Sequence, residues 1–287
     1  MAIKIAVDSG HGLDTQGKMT PPLKSDLYFN SKLVKKKGQI IHEKEFNMAS
    51  ANYLITALKR CGFEVLNVSP GTKDISLMKR VRAANNWGAD FYISKHYNAV
   101  GNCKSFQNKI SGIVTIYHKG SARSKKAATI IQDELIKAHG GYSFGAKADV
   151  EISGFSLYVL RNTTMTAVLT ESGFMDNEKE AKRMLDPKFQ KTDAEATCKG
   201  ICRYFGVKYV AEKKDSKKMV KNISNEKINI RNSANWQGNI VGELSPGDSL
   251  TYIAGPLTVK NGSTKMYKCK NEVYITASPK YVEIVEI

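Results

Sequence analysis

The sequence predicts an α/β fold, a twisted, mainly parallel or mixed sheet flanked by helices, followed by a small all-β unit. Over the first 210 residues, short β-branched apolar runs alternate with longer stretches of helical period, the pattern of a sheet covered by helices. Several of those runs stop abruptly at a polar residue among glycines or small side chains, as strands of open α/β sheets do where they gather their chemistry. Beyond a lysine-rich stretch, only short alternating runs and turn residues follow.

Ile3, Ile5 and Val7 alternate and predict a first strand near 3–7, ending at Asp8-Ser9-Gly10-His11-Gly12. Further strands are expected near 63–68, 90–95, 112–117, 157–160 and 167–171. Helices are expected near 44–60, 75–87, 122–138 and 188–205; in the first, Phe46, Ala49, Tyr53, Leu54, Ala57 and Leu58 recur at helical spacing. The first domain therefore spans 1–210. Residues 211–226, with Glu212-Lys213-Lys214-Asp215-Ser216-Lys217-Lys218, read as a solvated linker. A second domain, 227–287, opens on the alternating Ile228-Asn229-Ile230-Arg231-Asn232. Its turn chemistry lies at Ser245-Pro246-Gly247-Asp248, and short strands follow near 249–254, 265–269, 273–276 and 281–286.

The run Asp90–Ala99 repeats the pattern of the first strand, an apolar stretch ending at a histidine, His96, among small polar residues. Between His11 and His96 lies His42-Glu43-Lys44-Glu45-Phe46-Asn47, which opens the first helix and puts Glu43 in its first turn, with Glu45 as the neighbouring alternative. Two neutral imidazoles and a carboxylate, with a position left for water, suit a catalytic zinc ion; a closed structural site would use four ligands. A third apolar run, Ala167-Val168-Leu169-Thr170, leads straight into Glu171 and a glycine turn. Five cysteines give no disulfide framework; Cys198 and Cys202, four apart on a helix, are expected in the core.

The formal charge of +17 is spread unevenly, +13 over residues 1–210 and +4 over the remainder. Such a surface favours polyanions, among them nucleic acid, anionic membranes and the teichoic acids of Gram-positive walls. The signatures of a dedicated nucleic-acid module are absent, and no apolar run is long enough to span a membrane. The N-terminus enters strand-like sequence directly, so no secretory signal is expected.

Four motifs in order, Asp8-Ser9-Gly10-His11-Gly12, Glu43-Lys44-Glu45-Phe46-Asn47, Ser94-Lys95-His96-Tyr97-Asn98-Ala99 and Leu169-Thr170-Glu171-Ser172-Gly173-Phe174-Met175-Asp176-Asn177, resemble the zinc-dependent N-acetylmuramoyl-L-alanine amidases of the amidase-3 type. The resemblance covers roughly residues 1–207 and extends to Arg80 with Ala84-Asn85 and to Leu157–Arg161. It implies Zn²⁺ on His11, Glu43 and His96, and Glu171 as the catalytic carboxylate. Ser9 and Thr166 stand where the family usually has proline, and a lysine-rich insertion separates His11 from Glu43. The Asn-Ile-Arg start and Pro-Gly-Asp turn of the second domain resemble bacterial SH3-like wall-binding domains, which implies a small barrel; Tyr267 and Tyr274 occupy places where that family often has tryptophan.

The resemblances together imply a peptidoglycan hydrolase that cleaves the amide between the lactyl group of N-acetylmuramic acid and L-alanine. The role implied is phage-induced lysis of a Gram-positive host, by an enzyme made in the cytoplasm and acting on the wall after release. Anionic wall polymers are further expected partners, and nucleic acid is not. A chromosomal autolysin or spore-lysis amidase would share the chemistry, and a non-catalytic wall-binding protein would need only the second domain and the charge.

Overall fold

The computed structural model of the chain describes residues 2–212, 217–260 and 263–287. It divides into two compact units, Met1–Glu212 and Lys213–Ile287. In chain order the first unit contains β1 (Lys4–Ser9), β2 (Leu27–Phe29), β3 (Lys32–Lys35), α1 (Glu43–Arg60), β4 (Glu64–Asn67), α2 (Leu77–Trp87), β5 (Phe91–Asn98) and β6 (Ile113–Tyr117). It continues with α3 (Ala122–His139), β7 (Ser143–Ala148), α4 (Asp149–Ser153), α5 (Tyr158–Arg161), β8 (Thr166–Phe174), α6 (Glu178–Arg183) and α7 (Pro187–Phe205).

Six of these strands form one sheet in the order β4-β1-β5-β8-β6-β7. The first four run parallel, β6 is antiparallel to β8, and β7 is parallel to β6, so the sheet is mixed. Side chains alternate between its faces. Ile5, Val7, Phe91 and Ile93 enter the larger core with Leu54 and Leu58 of α1, Ile131 of α3 and Ile201 of α7. Ala6, Tyr92 and Leu169 enter the opposite core with Val81 and Ala84 of α2 and Val159 and Leu160 of α5. Helices on both faces explain why β1, β5 and β8 read as nearly continuous apolar runs. Lys95 points to the larger core, where its ammonium meets the buried Asp193 of α7 at 2.8 Å.

The expected strand near 157–160 is instead the short helix α5. A four-residue apolar run carries no usable period, and Val159 and Leu160 bury themselves against α2 and β8 as one helical turn rather than extending the sheet. The lysine-rich insertion holds the β2–β3 hairpin, whose flanking Leu23, Leu27 and Ile41 pack with Phe46, Tyr97, Met175 and Phe189. Cys198 and Cys202 are buried in the larger core, and Cys61, at the end of α1, joins them with its Sγ 3.8 Å from that of Cys198.

The second unit is a seven-stranded antiparallel sheet of β9 (Lys218–Asn222), β10 (Ile228–Arg231), β11 (Ile240–Leu244), β12 (Ser249–Thr258), β13 (Lys265–Cys269), β14 (Val273–Thr276) and β15 (Val282–Glu286). Their order is β11-β10-β14-β13-β12-β9-β15. Val220, Leu244, Cys269, Ile275 and Val282 form its core. The linker expected over 211–226 is therefore too long: β9 lies inside it, paired with β12 and β15, its buried Val220 hidden in sequence by flanking lysines. Residues 213–216 of that stretch lie outside the described residues. The Ser245–Asp248 turn joins β11 to β12, with Gly247 at φ 84°. No helix among the described residues is long and apolar enough to cross a membrane.

Candidate metal centre and active site

Three neighbouring strands of the sheet, β1, β5 and β8, deliver His11, His96 and Glu171 to the same end and the same face. His96 and Glu171 are register partners across the parallel β5–β8 pair. His11 follows β1 in left-handed backbone, φ 60°, which turns its ring back over the strand end. Gly10 makes room for the approach: a Cβ there would lie 2.0 Å from Cε1 of His96. Glu43 is the first residue of α1, at a helix N-terminus whose dipole favours its negative charge.

The three groups converge. Nε2 of His11 is 3.3 Å from Oε2 of Glu43, and Nδ1 of His96 is 2.9 Å from Oε1. Their ligand atoms all lie within 4.8 Å of one another, and the two rings meet edge to face. Glu43 is almost completely buried, its Oε1 also accepting from the Tyr97 amide and from Nδ2 of Asn47. Glu45 points elsewhere: it accepts from the His42 amide and pairs with Lys35, so it braces the helix start and the insertion.

Burial pushes the His11 imidazole down to about 4, against the attraction of Glu43. Burial would raise Glu43, yet the 2.9 Å contact with His96 Nδ1 and the charges of His11 and His96 hold it at about 2. His96 moves up, because Glu43, Glu171 and Asp8 outweigh its own desolvation. Glu171 is pushed up to about 8, first by burial and then by Glu43, with His96, Lys18 and Lys95 opposing. Its Oε2 is buried without a hydrogen-bond partner among the described residues.

His11, His96 and Glu171 line a cavity of about 360 Å³. Its walls include Lys18, Asp74 and Arg80 on the polar side, with Leu77, Phe155 and Tyr158 on the apolar side. Lys18, Asp74 and Phe155 escaped the sequence reading, since loop residues have no period. Only a position in the chain close behind His11 could have marked Lys18.

A family profile described as N-acetylmuramoyl-L-alanine amidase matches residues 5–203. The chain belongs to the N-acetylmuramoyl-L-alanine amidase family. It is 34% identical over 227 residues to an endolysin of Bacillus phage SPP1, a match covering 73% of this chain and 78% of that protein. It is 28% identical to the N-acetylmuramoyl-L-alanine amidase CwlM of Bacillus licheniformis, over 71% of this chain and 70% of that one. Among solved structures, the Clostridium difficile 630 amidase superposes with TM-score 0.57 at 26% identity, covering 71% of this chain and 97% of that chain. The catalytic domain of CwlV from Bacillus (Paenibacillus) polymyxa does so with TM-score 0.56 at 27% identity, covering 72% and 99%. The amidase fold and the mixed sheet described above therefore coincide, and the matched span ends within α7 of the first unit.

Proposed function

We propose that the chain is a zinc-dependent peptidoglycan amidase that hydrolyses the bond between the lactyl carbonyl of N-acetylmuramic acid and the amine of L-alanine. The observation that carries this is Glu171, a carboxylate with one oxygen unpartnered among the described residues, lining the same cavity as two histidines that converge on Glu43. The donor set fits zinc: two imidazoles and one carboxylate approach closely, with no fourth side chain completing the shell among the described residues.

His11, Glu43 and His96 would hold the ion. Bound there, zinc supplies Lewis acidity toward a carbonyl and lowers the pKa of water. Glu171 takes one proton of the attacking water, whose oxygen bonds to the lactyl carbonyl carbon, and passes it to the alanine nitrogen as the C–N bond breaks; the water's other proton stays on the new carboxyl group, which ionises to solvent and leaves a carboxylate beside the freed amine. A carboxyl group with a pKa near the working pH is suited to both halves of that exchange. Lys18, the cation beside Glu171 and Glu43, favours the ionised form of both and attracts anionic parts of the substrate. Phe155, 63% exposed at the cavity rim, offers a flat apolar face to the substrate.

The second unit is read as an SH3-like wall-binding module. Its antiparallel strands and a hollow of about 240 Å³ lined by Asn229, Arg231, Trp236 and Tyr281 support that reading. The role is lysis of a Gram-positive host by a phage enzyme, supported by the likeness to a phage endolysin and by the basic charge, which suits anionic wall polymers. Purified walls treated with the zinc-loaded chain should release new amino groups and no new reducing sugars. Reducing sugars would make it a glycosidase, and release of neither would make it a binder.

A further inference from the structure

We infer that Ser94, Asp8 and Arg80 form a positioning relay that sets the tautomer of His96 and, through the same guanidinium, the backbone of His11. The inference rests on the reading of His11, Glu43 and His96 as metal ligands. Arg80 is buried, with Nη1 2.7 Å from Oδ1 of the equally buried Asp8. That pairing keeps Asp8 ionised, so it can only accept hydrogen bonds. Its Oδ2 takes the protons of Tyr92 and Ser94, each at 2.8 Å. A serine hydroxyl has one proton; with that proton committed to Asp8, Ser94 Oγ meets His96 Nε2, 3.0 Å away, as an acceptor. Nε2 must then carry hydrogen. In the neutral ring, Nδ1 is left with its lone pair facing Glu43 and His11, the arrangement a metal ligand needs.

The other arm of Arg80 serves the second histidine. Nη2 donates to the His11 carbonyl at 3.4 Å and to Asp74 at 2.6 Å. Asp74 in turn accepts from Thr15, whose hydroxyl oxygen accepts the Gly12 amide, so the left-handed turn at His11 is held from both sides. Ser94 and His96 are two apart on β5 and therefore share a face, which is how a strand can carry both a ligand and its orienting partner. None of Asp8, Ser94 or Arg80 places an atom among the converging ligand atoms, so they act on the metal through the histidines.

The test uses the full chain, stripped of metal and titrated with zinc against a chromophoric chelator. The ¹⁵N resonances of the His96 ring are followed in parallel. Ser94→Ala should weaken zinc binding about 10- to 100-fold and shift His96 away from the Nε2–H form, while the metal-free protein keeps its thermal midpoint. Asp8→Asn gives a second arm. An amide donating to Ser94 reverses that hydroxyl, drives hydrogen onto Nδ1 and should weaken zinc more than Ser94→Ala does. Zinc affinity within twofold of the parent in Ser94→Ala, with the His96 resonances unmoved, overturns the relay even if Asp8→Asn fails to fold. A parent chain that binds no zinc overturns the metal-site reading instead, and the relay with it.

Discussion

Gly10→Ala tests the packing of the centre through a single methyl group. The backbone at Gly10 lies outside the left-handed region, so alanine adds no backbone strain there and only the contacts of the new Cβ perturb the fold. That carbon would sit 2.0, 2.3 and 2.6 Å from Cε1, Nε2 and Nδ1 of His96, whereas ordinary contact begins at 3.4 Å. The ring must therefore withdraw by about 1.4 Å, the difference between 3.4 and 2.0 Å, or β1 must part from β5, to which the Gly10 amide is bonded at 3.1 Å. Either movement breaks the 2.9 Å approach to Glu43 and the 3.0 Å contact with Ser94. A displacement of about 1 Å at a catalytic constellation costs about 10²-fold in rate, or roughly 3 kcal/mol of barrier. Zinc content by elemental analysis, and amine release from a soluble muropeptide, should both fall in a chain that still folds. Full zinc loading with parental turnover in Gly10→Ala would refute the close approach of His96 to this strand end.

Three further outcomes follow from the same geometry. Glu43→Ala should lose zinc and lysis together, whereas Glu45→Ala should keep its metal and lose about 1 kcal/mol of stability from the helix start; metal loss confined to Glu45→Ala would reverse the ligand assignment. Cleavage should fall on the acid side, because the base form of Glu171 is its carboxylate and its pKa is about 8 before a cation binds; bound zinc lowers that value, so the acid limb lies below pH 8, and a rate that climbs from pH 8 to pH 5 would contradict it. A fragment ending at Glu212, which retains the bonds of Arg60 and Cys61 to Val210, should hydrolyse soluble muropeptide normally while binding intact walls less well at high salt; a folded but inactive fragment would refute the division of labour.

The residues that reach the centre from strand ends were legible because an apolar run that stops at a polar group is a local signal. His11, His96 and Glu171 each follow such a run, and the pairing of β1, β5 and β8 brings them together. Glu43 was legible as the first turn of an amphipathic helix, but that it converges with the histidines while Glu45 turns to Lys35 and the His42 amide is visible only in three dimensions. The steric role of Gly10 was not legible: it depends on a ring 86 positions away, across a strand pairing no local pattern encodes. Nor was β9, whose one buried apolar side chain, Val220, sits among lysines that read as solvated. The helical turn at Tyr158–Arg161 failed for the opposite reason, an apolar run too short to distinguish one period from another.

Glu171→Gln separates proton transfer from metal binding. The substitution keeps the size of the side chain and its place opposite His96 in the sheet, and removes only the capacity to hold and release a proton near neutral pH. Zinc content, fold and amine release from muropeptide are to be measured on the same preparation. Full zinc, a parental fold and turnover lowered about 10²- to 10⁴-fold are expected. Near-parental cleavage in that zinc-loaded protein would mean that another group moves the proton, and the assignment of Glu171 would fall.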